Sequence, residues 1–191
     1  TFLKLPATQA IRKEMMMQRV YQDIVLPLNA LEESINKATE LFGMWPLLVY
    51  PSRIYDHGPE LQGQFPKPAP LSVVEGTNYG MYFDLGAYGI PTQVRKGTPY
   101  KCVTSMREME HLTRSVGGAP FLYADTFMTR EEFGEMFSLE LYEKVREKYN
   151  CAEHFPHLYD KTSGCQSFDW REELELENCN AGVHDKKRAA K

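Results

Sequence analysis

The chain has 191 residues and a net charge of −4, with 42% hydrophobic and 25% charged residues. That balance allows a real buried core but excludes the basic footprint that nucleic-acid binding needs. No apolar run approaches the roughly 20 residues of a membrane-spanning helix, and the start lacks a signal-peptide pattern.

The elements follow in chain order. Residues 6–17 predict a short helix with Pro6 near its start. Residues 19–26 (RVYQDIVL) predict a strand from their β-branched and aromatic content. Pro27 then opens a helix with Leu28, Leu31, Ile35, Ala38 and Phe42 at helical spacing, capped by Gly43. A second strand is predicted over 45–50, a long loop over 52–76, and a third strand over 81–85 followed by a turn at Gly86-Ala87-Tyr88-Gly89. Ser105-x-x-Glu108 reads as a capping box opening a helix with Met106, Met109, Leu112 and Val116 on one side, closed by Gly117-Gly118. A fourth strand is predicted over 121–126 and a second capping box at Thr129-x-x-Glu132, with a further helix over 139–149. From about 162 the pattern gives way to an acidic run and a basic end, which predicts an extended or disordered tail.

The order β-α-β, β-α-β, then helices, predicts an α+β domain of ferredoxin-like split βαβ type. It has a four-stranded antiparallel sheet, helices on one face and extra C-terminal helices. The expected division is a linker helix over 1–18, a domain over 19–161 and a charged tail over 162–191.

A phenol and a carboxylate stand two positions apart three times, at Tyr21/Asp23, Tyr82/Asp84 and Tyr123/Asp125. Residues two apart share one face of a strand. In the third strand Met81, Phe83 and Leu85 oppose Tyr82 and Asp84; in the first, Val20, Gln22, Ile24 and Leu26 oppose Tyr21, Asp23 and Val25. Helices must cover the more apolar set, leaving the Tyr/Asp set on the open face. Tyrosine rings bury large area while keeping a polar handle, which favours a covered face (a domain interface or ligand roof) over bare solvent. Within a covered face, a hydrogen-bonded polar network without chemistry remains the plainer alternative.

Other constellations are weaker. Cys102, Cys151, Cys165 and Cys179 lack metal-ligand spacing, and His154 and His157 flank Phe155-Pro156 without partners, so ordinary thiols and no metal site are expected. No Gly-rich phosphate loop or nucleophile–base pattern stands out. The chain starts at Thr1 within sequence that already reads as folded, which makes a piece of a longer protein the expectation.

Several stretches resemble the C-terminal half of the delta-24 sterol reductases, the diminuto/seladin family of flavoproteins. They are Gln22-Asp23-Ile24-Val25-Leu26-Pro27, Tyr82-Phe83-Asp84-Leu85-Gly86-Ala87-Tyr88-Gly89 and Leu122-Tyr123-Ala124-Asp125, with 130–137 (REEFGEMF) and 141–148 (LYEKVREK). The resemblance runs in order from about Phe2 to Lys161. It implies a vanillyl-alcohol-oxidase-type architecture, in which a separate N-terminal domain binds FAD and a cap domain roofs the flavin. It further implies reduction of the 24,25 double bond of a sterol side chain, with NADPH as hydride source, in a parent protein of the endoplasmic reticulum membrane. The fragment alone is then expected to be inactive, its partners being the sterol and its own FAD domain. An unactivated alkene needs a proton donor, and a carboxyl group in an apolar pocket stays protonated. Asp84, Asp125, Tyr82 and Tyr123 are the expected catalytic group, with Tyr21, Asp23 and Tyr88 expected at the substrate. Two rivals remain at this level: a non-catalytic ligand- or partner-binding module, and the cap domain of a flavin oxidase acting on polar alcohols.

Overall fold

The computed structural model describes residues 8–123, 126–163 and 168–188, the side chains of Gln9 and 180–188 excepted. Four strands, β1 (Val20–Pro27), β2 (Leu48–Tyr55), β3 (Tyr79–Gly89) and β4 (Ala119–Pro120), form one sheet in the order β2-β3-β1-β4. Each neighbouring pair is antiparallel. Helix α1 (Gln9–Met17) precedes the sheet, α2 (Leu31–Phe42) connects β1 to β2, and α3 (Thr92–Arg95) and α4 (Cys102–Ser115) connect β3 to β4. This is the expected ferredoxin-like split βαβ arrangement.

Alternation along the strands explains where the core lies. Val20, Ile24 and Leu26 of β1 and Phe83, Leu85 and Ala87 of β3 point to one face. There they pack on Ala38, Leu41 and Phe42 of α2 and Val103, Met106 and Met109 of α4. Gly43 ends α2 in the left-handed conformation at φ 57°, which a side chain would make costly.

Four local expectations are corrected. The second strand is Leu48–Tyr55, not 45–50. β3 continues to Gly89 instead of turning at Gly86, because Ala87 and Tyr88 pair with Gln22 and Tyr21 of β1. The fourth strand is Ala119–Pro120, pairing with Val25 and Ile24, and the chain then turns at Leu122 and Tyr123 where the strand expected over 121–126 would run; 124–125 lie outside the described residues. Helix α4 begins at Cys102, so Ser105 lies inside it and opens nothing.

The last correction has a cause far along the chain. After α5 (Arg130–Met136), α6 (Glu140–Lys148) and α7 (Leu158–Thr162), residues expected to be a structureless tail form α8 (Trp170–Arg188). Trp170 is buried in the main core. Glu177 reaches the start of α4, accepting from the amides of Val103 (3.0 Å) and Thr104 (2.9 Å) and from Thr104 Oγ1 (2.7 Å). A carboxylate from a distant helix thus performs the capping that a local Ser or Thr performs elsewhere. By contrast, Thr129 and Glu132 do form the expected capping box of α5. Helices α5 and α7 and the loop carrying Phe65 enclose a second apolar cluster around Phe133, Met136, Phe137 and Tyr159.

Candidate active site on the open sheet face

The sheet face away from α2 and α4 carries Tyr21, Asp23 and Val25 on β1 and Tyr82, Asp84, Gly86 and Tyr88 on β3. Cross-strand pairing adds Leu48, Tyr50 and Ser52 of β2 to the same face, opposite Gly86, Asp84 and Tyr82. This face divides into a covered end and an open end.

At the covered end lies Tyr82, 3% exposed. Its hydroxyl accepts from the amide of Ala69 (2.8 Å) and donates to the carbonyl of Gly117 (3.3 Å). The phenol therefore ties the 56–78 loop and the end of α4 to the sheet, and its hydroxyl is committed to backbone.

The open end holds the carboxylates. Asp23 is 3% exposed and pairs across the ladder with Gly86, while Asp84 pairs with Val25, so the two acids are diagonal neighbours. Tyr88 donates its hydroxyl to Asp23 Oδ2, and Tyr88 and Tyr123 hydroxyls lie 3.0 Å apart. Asp23 Oδ1 and Asp84 Oδ1 are buried and have no hydrogen-bond partner within the described structure. Burial, and then the charge of Asp23, push Asp84 up to about 6. Burial and the bond to Asp23 push the Tyr88 phenol upward as well, so it stays a donor.

Gly86 makes this packing possible. A Cβ there stands 2.7 Å from both Asp23 Oδ1 and Tyr88 Cε2, closer than side-chain carbons approach. A glycine inside a strand commonly marks such close approach. Around the acids the face is unusually apolar and open: Tyr50 is 64% exposed, Tyr123 68% and Leu48 48%.

Of the residues expected from the sequence, Asp23, Asp84, Tyr88 and Tyr123 come together here. Tyr82 stands at the covered end, and Tyr21 lies at the margin, accepting from Arg19 at 3.4 Å. Asp125 lies outside the described residues. Sequence reasoning missed Gly86, Leu48 and Tyr50; the glycine within a strand pattern was the available signal for the first.

A cleft of about 550 Å³ opens beside this cluster, lined by Tyr21, Tyr88 and Tyr123 together with Met16, Met106 and Phe127 among others. A second groove of about 830 Å³ lies on the helical side, between α2 and α4. Its acidic walls are bridged by Lys37, 2.7 Å from Glu108, and it has no connection to the carboxylates of the sheet.

No family model matches the chain, and no solved structure matches it. Delta(24)-sterol reductase of Homo sapiens is 34% identical over 161 residues, covering 84% of this chain. The Delta(24)-sterol reductase homolog dhcr-24 of Caenorhabditis elegans is 34% identical over 163 residues, and Delta(24)-sterol reductase of Arabidopsis thaliana 26% over 166. The chain is a homologue of one segment of the Delta(24)-sterol reductases. It spans about 28% of the length of the human sterol reductase. Any contiguous stretch covering 84% of a 191-residue chain includes β3 and α4, so the homology to the sterol reductases takes in Asp84, Gly86 and Tyr88.

Proposed function

We propose that this chain is the substrate-covering part of a flavin-dependent reductase that saturates the 24,25 double bond of a sterol side chain. The supporting observation is Asp84, a carboxyl group raised to about 6 on an exposed apolar sheet face, in a chain homologous to sterol reductases. Exposed apolar faces of this kind mark interaction surfaces, and the occupants assigned here are the flavin domain of the same protein and the sterol.

The residues fit a covering role for FAD. Tyr50 and Leu48 present flat or apolar surface beside Asp84, suited to the edge of an isoalloxazine ring. On this reading the cofactor's pyrophosphate is held elsewhere in the full-length protein. When bound, FAD reduced by NADPH supplies the hydride.

The chain's own residues supply the proton. Asp84 carries it at Oδ, without a competing hydrogen-bond partner on Oδ1. Placing the flavin domain and an apolar side chain over the face removes the remaining water and raises Asp84 further toward the protonated form at neutral pH. Breaking of the Asp84 O–H bond and transfer of its proton to the less substituted alkene carbon form a C–H bond there and leave the charge on the tertiary neighbour, where the hydride of a bound flavin would be needed. The ring of Tyr50 favours that transient charge. Tyr88 holds Asp23 in place, and the charge of Asp23 favours the protonated state of Asp84.

On this reading the isolated chain is inactive, and the full-length protein works at the endoplasmic reticulum membrane. Among the described residues no helix is long and apolar enough to cross a membrane, so the reading assigns the anchor elsewhere in the full-length protein. The test is turnover of a 24,25-unsaturated sterol with NADPH by the full-length protein. Oxidation of polar alcohols with no sterol turnover would reject the proposal.

A further inference from the structure

The short fourth strand leaves a gap in the sheet that the reaction above does not explain. β4 pairs only with Ile24 and Val25 of β1. The amide of Phe121 still reaches the carbonyl of Asp23 at 2.9 Å, and the chain then turns away at Leu122 and Tyr123. Among the described residues, the outer edge of β1 before Asp23 therefore has no neighbouring strand. The space becomes the cleft of about 550 Å³, walled by α1 through Met16, by α4 through Met106 and by the returning chain through Leu122 and Phe127. That volume lies within the usual range for sites that enclose a drug-sized molecule. Unbranched methionine walls adapt to a rigid apolar shape, and Arg19 and Thr162 put polar groups on the same lining.

We propose that this cleft holds the far end of the substrate's rigid ring body, which extends past Tyr88 along β3 so that the side chain reaches Asp84. Tyr88 and Tyr123 line the cleft and also belong to the hydrogen-bonded cluster on Asp23, so they form the passage between the two compartments. The four-residue step from Tyr88 to Asp84 spans about 13 Å along the strand, more than the short chain between ring and alkene covers, so the ring body reaches out of the cleft past Tyr88. An elongated amphiphile with an apolar ring system at one end and the double bond at the other fills both compartments; a compact molecule fills only one. The assignment rests on the sterol reading above and adds to it the place of each half of the substrate.

The test uses the 191-residue chain and a fluorescent sterol, dehydroergosterol, as probe. Leu122→Trp and Met16→Trp, on two separate walls and both only partly buried, fill the cleft, with circular dichroism confirming the fold of each. The cleft assignment predicts that the native chain binds the probe and that each substitution weakens binding at least tenfold. A tetracyclic steroid lacking the side chain should compete, whereas a short branched alkene should not. Absence of binding, native affinity in both variants, or competition by the alkene alone overturns the assignment. Failure of the reductase reading shows separately, as absence of sterol turnover by the full-length protein.

Discussion

At the scale of single residues, three acids with different surroundings behave in three ways. Glu110 of α4 is fully buried; burial pushes it up to about 8 although it accepts from the amide of Phe127 at 2.7 Å and lies near Arg107. Its folded value stands above the ordinary 4.5, so the protonated form favours the fold and that contribution is lost as pH rises toward 8. Thermal melts of the chain should therefore show stability falling from pH 5 to pH 8, and Glu110→Gln should flatten that slope and melt higher than native at pH 8. An unchanged slope in the variant would remove Glu110 as the cause. Glu132 goes the other way. Burial alone raises it, but Arg107, the Thr129 amide and Arg114 outweigh that and hold it near 2, so its contribution is present at neutral pH and lost only in acid. Among the described residues Asp23 has a single donor: Tyr88→Phe leaves both its oxygens unpaired in a buried position, a cost of about 1–3 kcal/mol measurable by chemical denaturation. Restoration of native stability by adding Asp23→Asn to that variant would show the cost to be one of unpaired charge.

The element scale shows which parts of the fold were legible in the sequence. Alternation in β1 and β3 assigns Ile24, Leu26, Phe83 and Leu85 to the core and the Tyr/Asp pairs to the other face, as observed. Gly43 and the Thr129 capping box mark helix ends from local chemistry alone. Where the determinant is distant, local signals mislead. Ser105 and Glu108 match a capping pattern, yet α4 starts earlier because Glu177 supplies the acceptor from α8. Charge density over 172–177 reads as a solvated tail, yet Trp170 and Glu177 anchor that segment to α4. Glu177→Gln should thus destabilise the chain by about 1–2 kcal/mol in denaturant titration, a cost in keeping with loss of a charged helix cap. No measurable change would mean that α8 contributes nothing to α4. Gly86 carries a similar lesson, since its dipeptide context reads as a turn while its actual role is to clear space for Asp23 and Tyr88. Gly86→Ala should disturb that cluster and cost about 1–3 kcal/mol through overpacking, seen as a lower melting temperature and altered ring signals of Tyr88.

At the scale of the whole molecule, one side of the sheet is closed by α2 and α4, and the other is only half closed. The loop over Tyr82 covers one end, leaving Leu48, Tyr50, Tyr88 and Tyr123 exposed around two acids. The carboxylate–phenol spacing makes this face visible in the sequence, but the cleft beside it arises from a strand that stops after two residues. Apolar content over 121–126 concealed that stop, because turning residues and strand residues there are of the same types. The chain matches the human sterol reductase over 84% of its own length and spans about 28% of that relative. Asp84 is the proposed proton donor to the sterol alkene. Its most direct test is the turnover number of the full-length protein carrying Asp84→Asn, with a 24,25-unsaturated sterol, NADPH and FAD, alongside the thermal stability of the same variant. A general acid at Asp84 requires a fall in turnover of at least about 100-fold, with melting temperature unchanged or raised; wild-type turnover in that variant would rule Asp84 out as the donor.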